Sequence, residues 1–243
     1  MKSDEGRLFN RASALGLLGG AAGLLLNGGG RRNAEAASSA CAVTREGEIG
    51  PYFVDEGVPG FNRSDVRSNL NGTSRQAGVP LTLTVQVLDT KAACAAMSGV
   101  QVDLWHCNAL GVYSDEASEG TSSQTWLRGY QVTGPSGTVT FTTIFPGWYR
   151  GRTTHMHLRV RSKYSAASST SDGRNTTQFF FPQDVINEIS TSMAPYRTRG
   201  VNLRTNASDY VYSSQTKGKT ELELSGSPGS GYAASASVGL PIT

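Results

Sequence analysis

Leu81, Leu83, Val85 and Val87 alternate with threonines and a glutamine. An apolar period of two is satisfied by a strand that buries one face, and a helix cannot use it. The pattern returns in Val100, Val102 and Leu104, with His106 continuing the same face. Thr138 to Phe145 follows the turn sequence Gly134-Pro135-Ser136-Gly137, His155 to Arg161 carries Met156, Leu158 and Val160 on one face, and Thr176 to Phe181 ends at Pro182. The loop holding Ala92 to Ser98 joins the first two strands, while Tyr210 to Tyr212 and Tyr232 to Ile242 read as terminal strands. One helix is expected, Asp184 to Met193, with Val185, Ile186, Ile189 and Met193 on one side and Asp184 as its cap. Many short strands, frequent turns and 29 glycines indicate a mainly β chain, a sandwich or a barrel.

Residues 81–243 are expected to hold this β domain, and 37–80 an irregular arm that includes Gly50-Pro51-Tyr52-Phe53. Residues 1–36 have the form of an export signal. Lys2, Arg7 and Arg11 precede an apolar run from Ala12 to Leu26, and Ala34-Glu35-Ala36 offers a cleavage site. Gly6-Arg7-Leu8-Phe9-Asn10-Arg11 resembles a twin-arginine signal with its first arginine replaced. The run is too short for a stable membrane span, and a disordered tail is the alternative. A net charge of +3 with scattered basic residues gives no footprint for nucleic acid. Of the three cysteines, Cys94 and Cys107 flank a turn and a strand, so a local disulfide is expected there, with Cys41 left over.

Two of the chain's three histidines, His155 and His157, stand one residue apart. In a strand they share a face, opposite Met156, Leu158 and Val160, and both rings reach one ion. The alternative is an ordinary polar outer face continued by Arg159 and Arg161. Tyr149 precedes His155 by six residues across a glycine-containing loop, and Tyr113 follows Gly111 at a turn. Phenolate is an unusual ligand, since tyrosine ionises near pH 10. A strongly acidic cation can deprotonate it, which singles out ferric iron. Zinc and copper prefer histidine, cysteine or carboxylate. His106 lies on the core face and reads as a hydrogen-bonded core histidine.

Five blocks, in order, resemble the intradiol ring-cleavage dioxygenases, the family of catechol and protocatechuate dioxygenases. They are Val102-Asp103-Leu104-Trp105-His106-Cys107-Asn108-Ala109 leading to Gly111-Val112-Tyr113-Ser114; Arg128-Gly129-Tyr130; Thr142-Thr143-Ile144-Phe145-Pro146-Gly147-Trp148-Tyr149; Arg152-Thr153-Thr154-His155-Met156-His157; and Thr177-Gln178-Phe179-Phe180-Phe181. The resemblance, closest to the secreted branch, implies a β-sandwich with non-haem Fe(III) held by Tyr113, Tyr149, His155 and His157. It implies an aromatic diol and O2 as substrates, opened between the two hydroxyl-bearing carbons to a muconate-type diacid. Tyr149 would take up a released proton, Arg152 would stabilise the activated ring, and Gln178 would stand behind the first layer. Tyr52 matches a tyrosine that lines the pocket, while Trp126, Tyr130 and Trp148 are either pocket wall or packing. No cation in these blocks awaits a ring carboxylate, so catechol or hydroxyquinol is favoured over protocatechuate. The competing reading is a non-catalytic secreted β-sandwich binding module that keeps the metal motif.

Overall fold

The computed structural model describes residues 42–55, 59–161 and 173–241. The leader, Cys41 and Ile242 lie outside the described residues. Among the described residues nine strands form two sheets: β1 (Pro80–Asp89), β2 (Ala95–Ala96), β3 (Gln101–Trp105), β4 (Arg128–Val132), β5 (Thr138–Ile144), β6 (His155–Arg161), β7 (Gly173–Phe180), β8 (Leu224–Ser227) and β9 (Gly231–Leu240). Among the described residues one α-helix, α1, spans Gln183–Ser192; its N-cap is Pro182, so Asp184 lies in the first turn and does not cap it. Among the described residues no helix is long and apolar enough to cross a membrane.

In the first sheet β1 is central. It runs parallel to β9 along one edge and pairs antiparallel with β5 and then β2 along the other, while β8 pairs with β9. The second sheet has the order β4-β3-β6-β7, all antiparallel. Leu81, Leu83, Val85 and Val87 meet Val102, Leu104, Met156, Leu158 and Val160 in one core. A fully buried side chain of this kind contributes roughly 1.5–3 kcal/mol, so the alternation read from the sequence fixes the register of both sheets. The two sheets form the expected mainly β sandwich.

The outer face of β6 departs from an ordinary polar surface. His155, His157, Arg159 and Arg161 are all buried, as is every other residue of the strand. The arm before β1, which carries no strand, lies across this face. Asp55 meets Arg161 at 2.9 Å, and Phe53 sits 5.1 Å from the Arg159 guanidinium and 5.0 Å from the Trp105 ring. Arg161 also bonds Asp103 at 2.8 Å, so the arginine is buried as part of a charge cluster.

Three expectations are corrected. Tyr210 to Tyr212 is not a strand; Val211–Thr216 is a π-helix, because the Asp209 carboxylate accepts the Val211 and Tyr212 N–H groups at 3.0 and 3.1 Å and starts a helical turn. Cys107 is a buried free thiol and Cys94 is disulfide-bonded, so the Cys94–Cys107 bridge is not formed. The loop after β1 contains the two-residue strand β2, which extends the sheet through Leu88 and Asp89.

Candidate metal centre

Two loops and one strand end build the site. The loop after β3 carries Tyr113, and the loop after β5 carries Tyr149. Their backbones are in direct contact: Gly147 N donates to Asn108 O at 3.1 Å. A Cβ on Gly147 would stand 2.4 Å from Ala109 O, and one on Gly111, whose φ is +78°, would stand 2.0 Å from Trp148 O. Only glycine permits this approach. Asn108 shapes the first loop by accepting the Leu110 and Val112 N–H groups on its side-chain oxygen at 2.9 and 3.1 Å. The Tyr113 and Tyr149 rings consequently meet edge to face, with centroids 5.7 Å apart.

β6 supplies the imidazoles. His155 Nε2 and His157 Nε2 are 3.2 Å apart, and Tyr149 Oη is 3.3 Å from His155 Nε2. His155 Nδ1 lies 2.7 Å from Thr153 O, a carbonyl that only accepts, so Nδ1 carries the proton and Nε2 a lone pair. Tyr149 Oη, His157 Nε2 and Arg152 Nη1, the last at 3.5 Å, all crowd that one lone pair. Tyr113 Oη is buried with no hydrogen-bond partner. A buried unpaired hydroxyl beside crowded lone pairs is unfavourable for protein alone and fits a cation among the four groups. Among the described residues no three His, Cys, Asp or Glu side chains cluster, so any metal centre here needs the two phenols.

The electrostatics agree with this donor set. Burial, followed by the Arg152 charge, holds His155 well below pKa 6.5; burial, then His155 and Arg152, does the same for His157. Both rings are therefore neutral, the form that ligates. Burial also pushes the Tyr113 and Tyr149 phenols above 10. Nothing in the protein alone makes them anionic; only a hard, highly charged ion bound between them could do so. These residues fit ferric iron. Cys107 packs beside Tyr113 with its thiol pushed up to about 12 by burial, which makes it a poor ligand.

Neighbouring residues hold the donors in place. Trp105 stacks on His157 with centroids 4.9 Å apart, and Tyr52 stacks on Tyr113 at 4.2 Å and meets Tyr149 edge-on at 5.6 Å. The arm passes so closely that a Cβ on Gly50 would stand 3.0 Å from His157 Cε1. Arg128, fully buried, donates to Ser114 Oγ and O and to Tyr52 O, tying the Tyr113 loop to the arm. Arg152 is not a surface group: Nη2 donates to Gln178 Oε1 at 2.5 Å and Nε to Asp209 Oδ2 at 2.8 Å. Gln178 is itself fixed by donating to Glu48 O at 2.8 Å.

All six residues expected at the site thus lie together. His106 stays out of it, fully buried with its ring nitrogens 2.8 Å from Cys107 O and 2.7 Å from Thr143 Oγ1. Trp126 and Tyr130 are packing residues within the buried core, and Trp148 caps a loop by donating to Gly200 O at 2.9 Å. Sequence reasoning missed Asp209, 57 residues from Arg152, because no local pattern surrounds it. Arg128 stands within a family-like block, but its sequence neighbours carry no signal of the role it plays in tying the loop to the arm.

A family model described as Dioxygenase matches residues 49–208. No curated protein sequence matches the chain. Among solved structures, an intradiol ring-cleavage dioxygenase from Tetranychus urticae is 25% identical with a TM-score of 0.68, over 84% of this chain and 97% of that one. The dioxygenase domain of a dioxygenase–carbohydrate-binding fusion from the cellulolytic bacterium Streptomyces sp. SirexAA-E is also 25% identical, with a TM-score of 0.57, over 83% and 100%. A 3-chlorocatechol 1,2-dioxygenase from Rhodococcus opacus 1CP shares the fold at 20% identity, with a TM-score of 0.54 over 88% and 78%.

Proposed function

The chain belongs to the intradiol ring-cleavage dioxygenases, and on that footing we propose that it is a non-haem Fe(III) enzyme that opens catechol-type diols with O2 to muconate-type diacids. The observation that carries this reading is the convergence of two neutral imidazoles, 3.2 Å apart at Nε2, with the phenols of Tyr149 and the unpartnered Tyr113. Tyr113, Tyr149, His155 and His157 would hold the iron. Bound there, ferric iron supplies a Lewis acid that orients the diol and draws electron density from its ring.

The protein's own groups do the rest. A catechol that binds through both oxygens must lose its hydroxyl protons. Tyr149 is the half-exposed phenol of the pair, whereas Tyr113 is buried. Without metal, burial sets the Tyr149 phenol above its usual 10, so once released from the metal Tyr149 would take and hold a proton from the diol. Arg152 directs Nη1 toward His155 Nε2, because Nε and Nη2 are engaged by Asp209 and Gln178. A fixed guanidinium there stabilises negative charge that develops on the ring carbons. Tyr52, stacked on Tyr113, forms a wall of the pocket and keeps water from the buried donors. In the overall change the carbon–carbon bond between the hydroxyl-bearing carbons breaks, and both atoms of O2 enter the diacid.

The test is turnover of catechol by the iron-loaded protein under labelled dioxygen. One O2 consumed per catechol, with both labels in an acyclic diacid, is expected. An iron-loaded protein that consumes no oxygen would support the binding-module reading, and a semialdehyde product would place the cleavage outside the diol carbons. Export is proposed on the leader sequence alone and is tested by cell fractionation.

A further inference from the structure

The Asp209 carboxylate has no exposed surface, and three of its five hydrogen bonds come from Arg152 and Thr153. Oδ2 accepts from Arg152 Nε at 2.8 Å and from Thr153 N at 3.0 Å. Oδ1 accepts from Arg152 Nη2 at 3.3 Å, Val211 N at 3.0 Å and Tyr212 N at 3.1 Å. Every lone-pair direction is used, so the carboxylate cannot rotate without losing bonds. It stands at the start of the π-helix Val211–Thr216, an irregular turn that places two N–H groups on one oxygen. The family match ends at residue 208, so no motif reaches Asp209.

We propose that Asp209 is the positioning residue of the site: it selects the Arg152 rotamer that turns Nη1 to the metal locus, and it anchors the main chain of Thr153, whose carbonyl orients His155. The first role follows from the division of the guanidinium. Asp209 takes the Nε edge and Gln178 takes Nη2, which leaves Nη1 facing His155 Nε2 at 3.5 Å. The second follows from the Thr153 main chain, whose N–H is held by Asp209 and whose carbonyl, one peptide further on, accepts from His155 Nδ1 at 2.7 Å. One carboxylate thus sets both an electrostatic group and the tautomer of a metal ligand. This rests on the ring-cleavage reading above.

The experiment compares iron-loaded wild type, Asp209→Asn, Arg152→Gln and the double variant, reading kcat, KM, iron content and the visible spectrum with and without catechol under nitrogen. Asp209→Asn keeps an acceptor and the shape but removes the charge and one strong acceptor. Its kcat is expected to fall about 10- to 100-fold with iron content and the catechol-induced spectral change retained. Added to Arg152→Gln it is expected to cost clearly less than it does alone, because the Arg152 contribution is already lost and only the hold on Thr153 remains. An unchanged kcat in folded Asp209→Asn would overturn the proposal, and so would an equal loss in the Arg152→Gln background. Failure of both Asp209→Asn and Asp209→Ser to fold would assign the carboxylate to stability alone and overturn it too. Wild type run alongside separates the readings: no ring opening by wild type sinks the function itself, whereas loss confined to Asp209 variants concerns only this residue.

Discussion

Gly147→Ala should uncouple the two tyrosine loops while leaving every ligand in the chain. The added methyl would stand 2.4 Å from Ala109 O, 2.6 Å from Ala109 C and 2.7 Å from Asn108 O, all backbone atoms that cannot swing aside. Ordinary contact begins near 3.4 Å, so the loops must part by 3.4 − 2.4, or about 1 Å. Forced overpacking costs typically about 1–3 kcal/mol, which for a chain of this length lowers Tm by roughly 2–12 °C. The same displacement moves Tyr149 relative to Tyr113, and a misplacement of about 1 Å costs on the order of 100-fold in rate. The control is Gly134→Ala, where the methyl meets nothing within 4 Å and the change should stay within about 0.5 kcal/mol. Calorimetry and the absorption of the iron-loaded proteins read both effects. If Gly147→Ala matched Gly134→Ala in Tm and in spectrum, the loop contact would not be what places the phenols.

Tyr113→Phe removes a buried hydroxyl that has no partner, so the metal-free variant should be at least as stable as wild type, by up to about 1–3 kcal/mol. The same variant should bind iron more weakly, so melting curves with and without iron move in opposite directions. His106 is held at about 4, below 6.5, by burial. Its contribution is fully present above pH 6.5 and is lost as pH falls toward 4, on the order of 3 kcal/mol. Denaturant titrations should therefore show a shallower acid-side loss for His106→Gln than for wild type, and equal slopes would refute the assignment. Cys107, buried with its thiol pushed up to about 12, should resist thiol reagents until the protein unfolds, as peptide mapping after brief labelling would reveal.

Much of this molecule was legible because period-two patterns are local. β1, β3, β5, β6 and β9 carry their alternation in consecutive residues, β7 was marked only by its end at Pro182, and α1 carries its own spacing. His155 and His157 were assigned to one face on the same grounds. That this face is buried was not legible, since the cover comes from Phe53 and Asp55, about a hundred residues earlier and without secondary structure. β4 and β8 escaped notice because Arg128–Val132 and Leu224–Ser227 lack a clear alternation. Tyr210 to Tyr212 misled for the opposite reason: three β-prone residues outweigh, on paper, a single aspartate that starts a helical turn. Cysteine spacing misled as well, because a bridge depends on distance in the fold and not along the chain. Asp209 shows the same limit at the site itself, where Arg152 was readable from its motif and its partner was not.

The visible absorption of the iron-loaded protein, taken before and after catechol is added under nitrogen, tests the central claim most directly. Ligation by Tyr113 and Tyr149 requires a tyrosinate-to-iron charge-transfer band, and access of the diol requires that band to shift on addition. A protein shown to contain iron that stays colourless with and without catechol would mean that the phenols do not hold the metal, and the proposed ring-cleaving centre would fall with them.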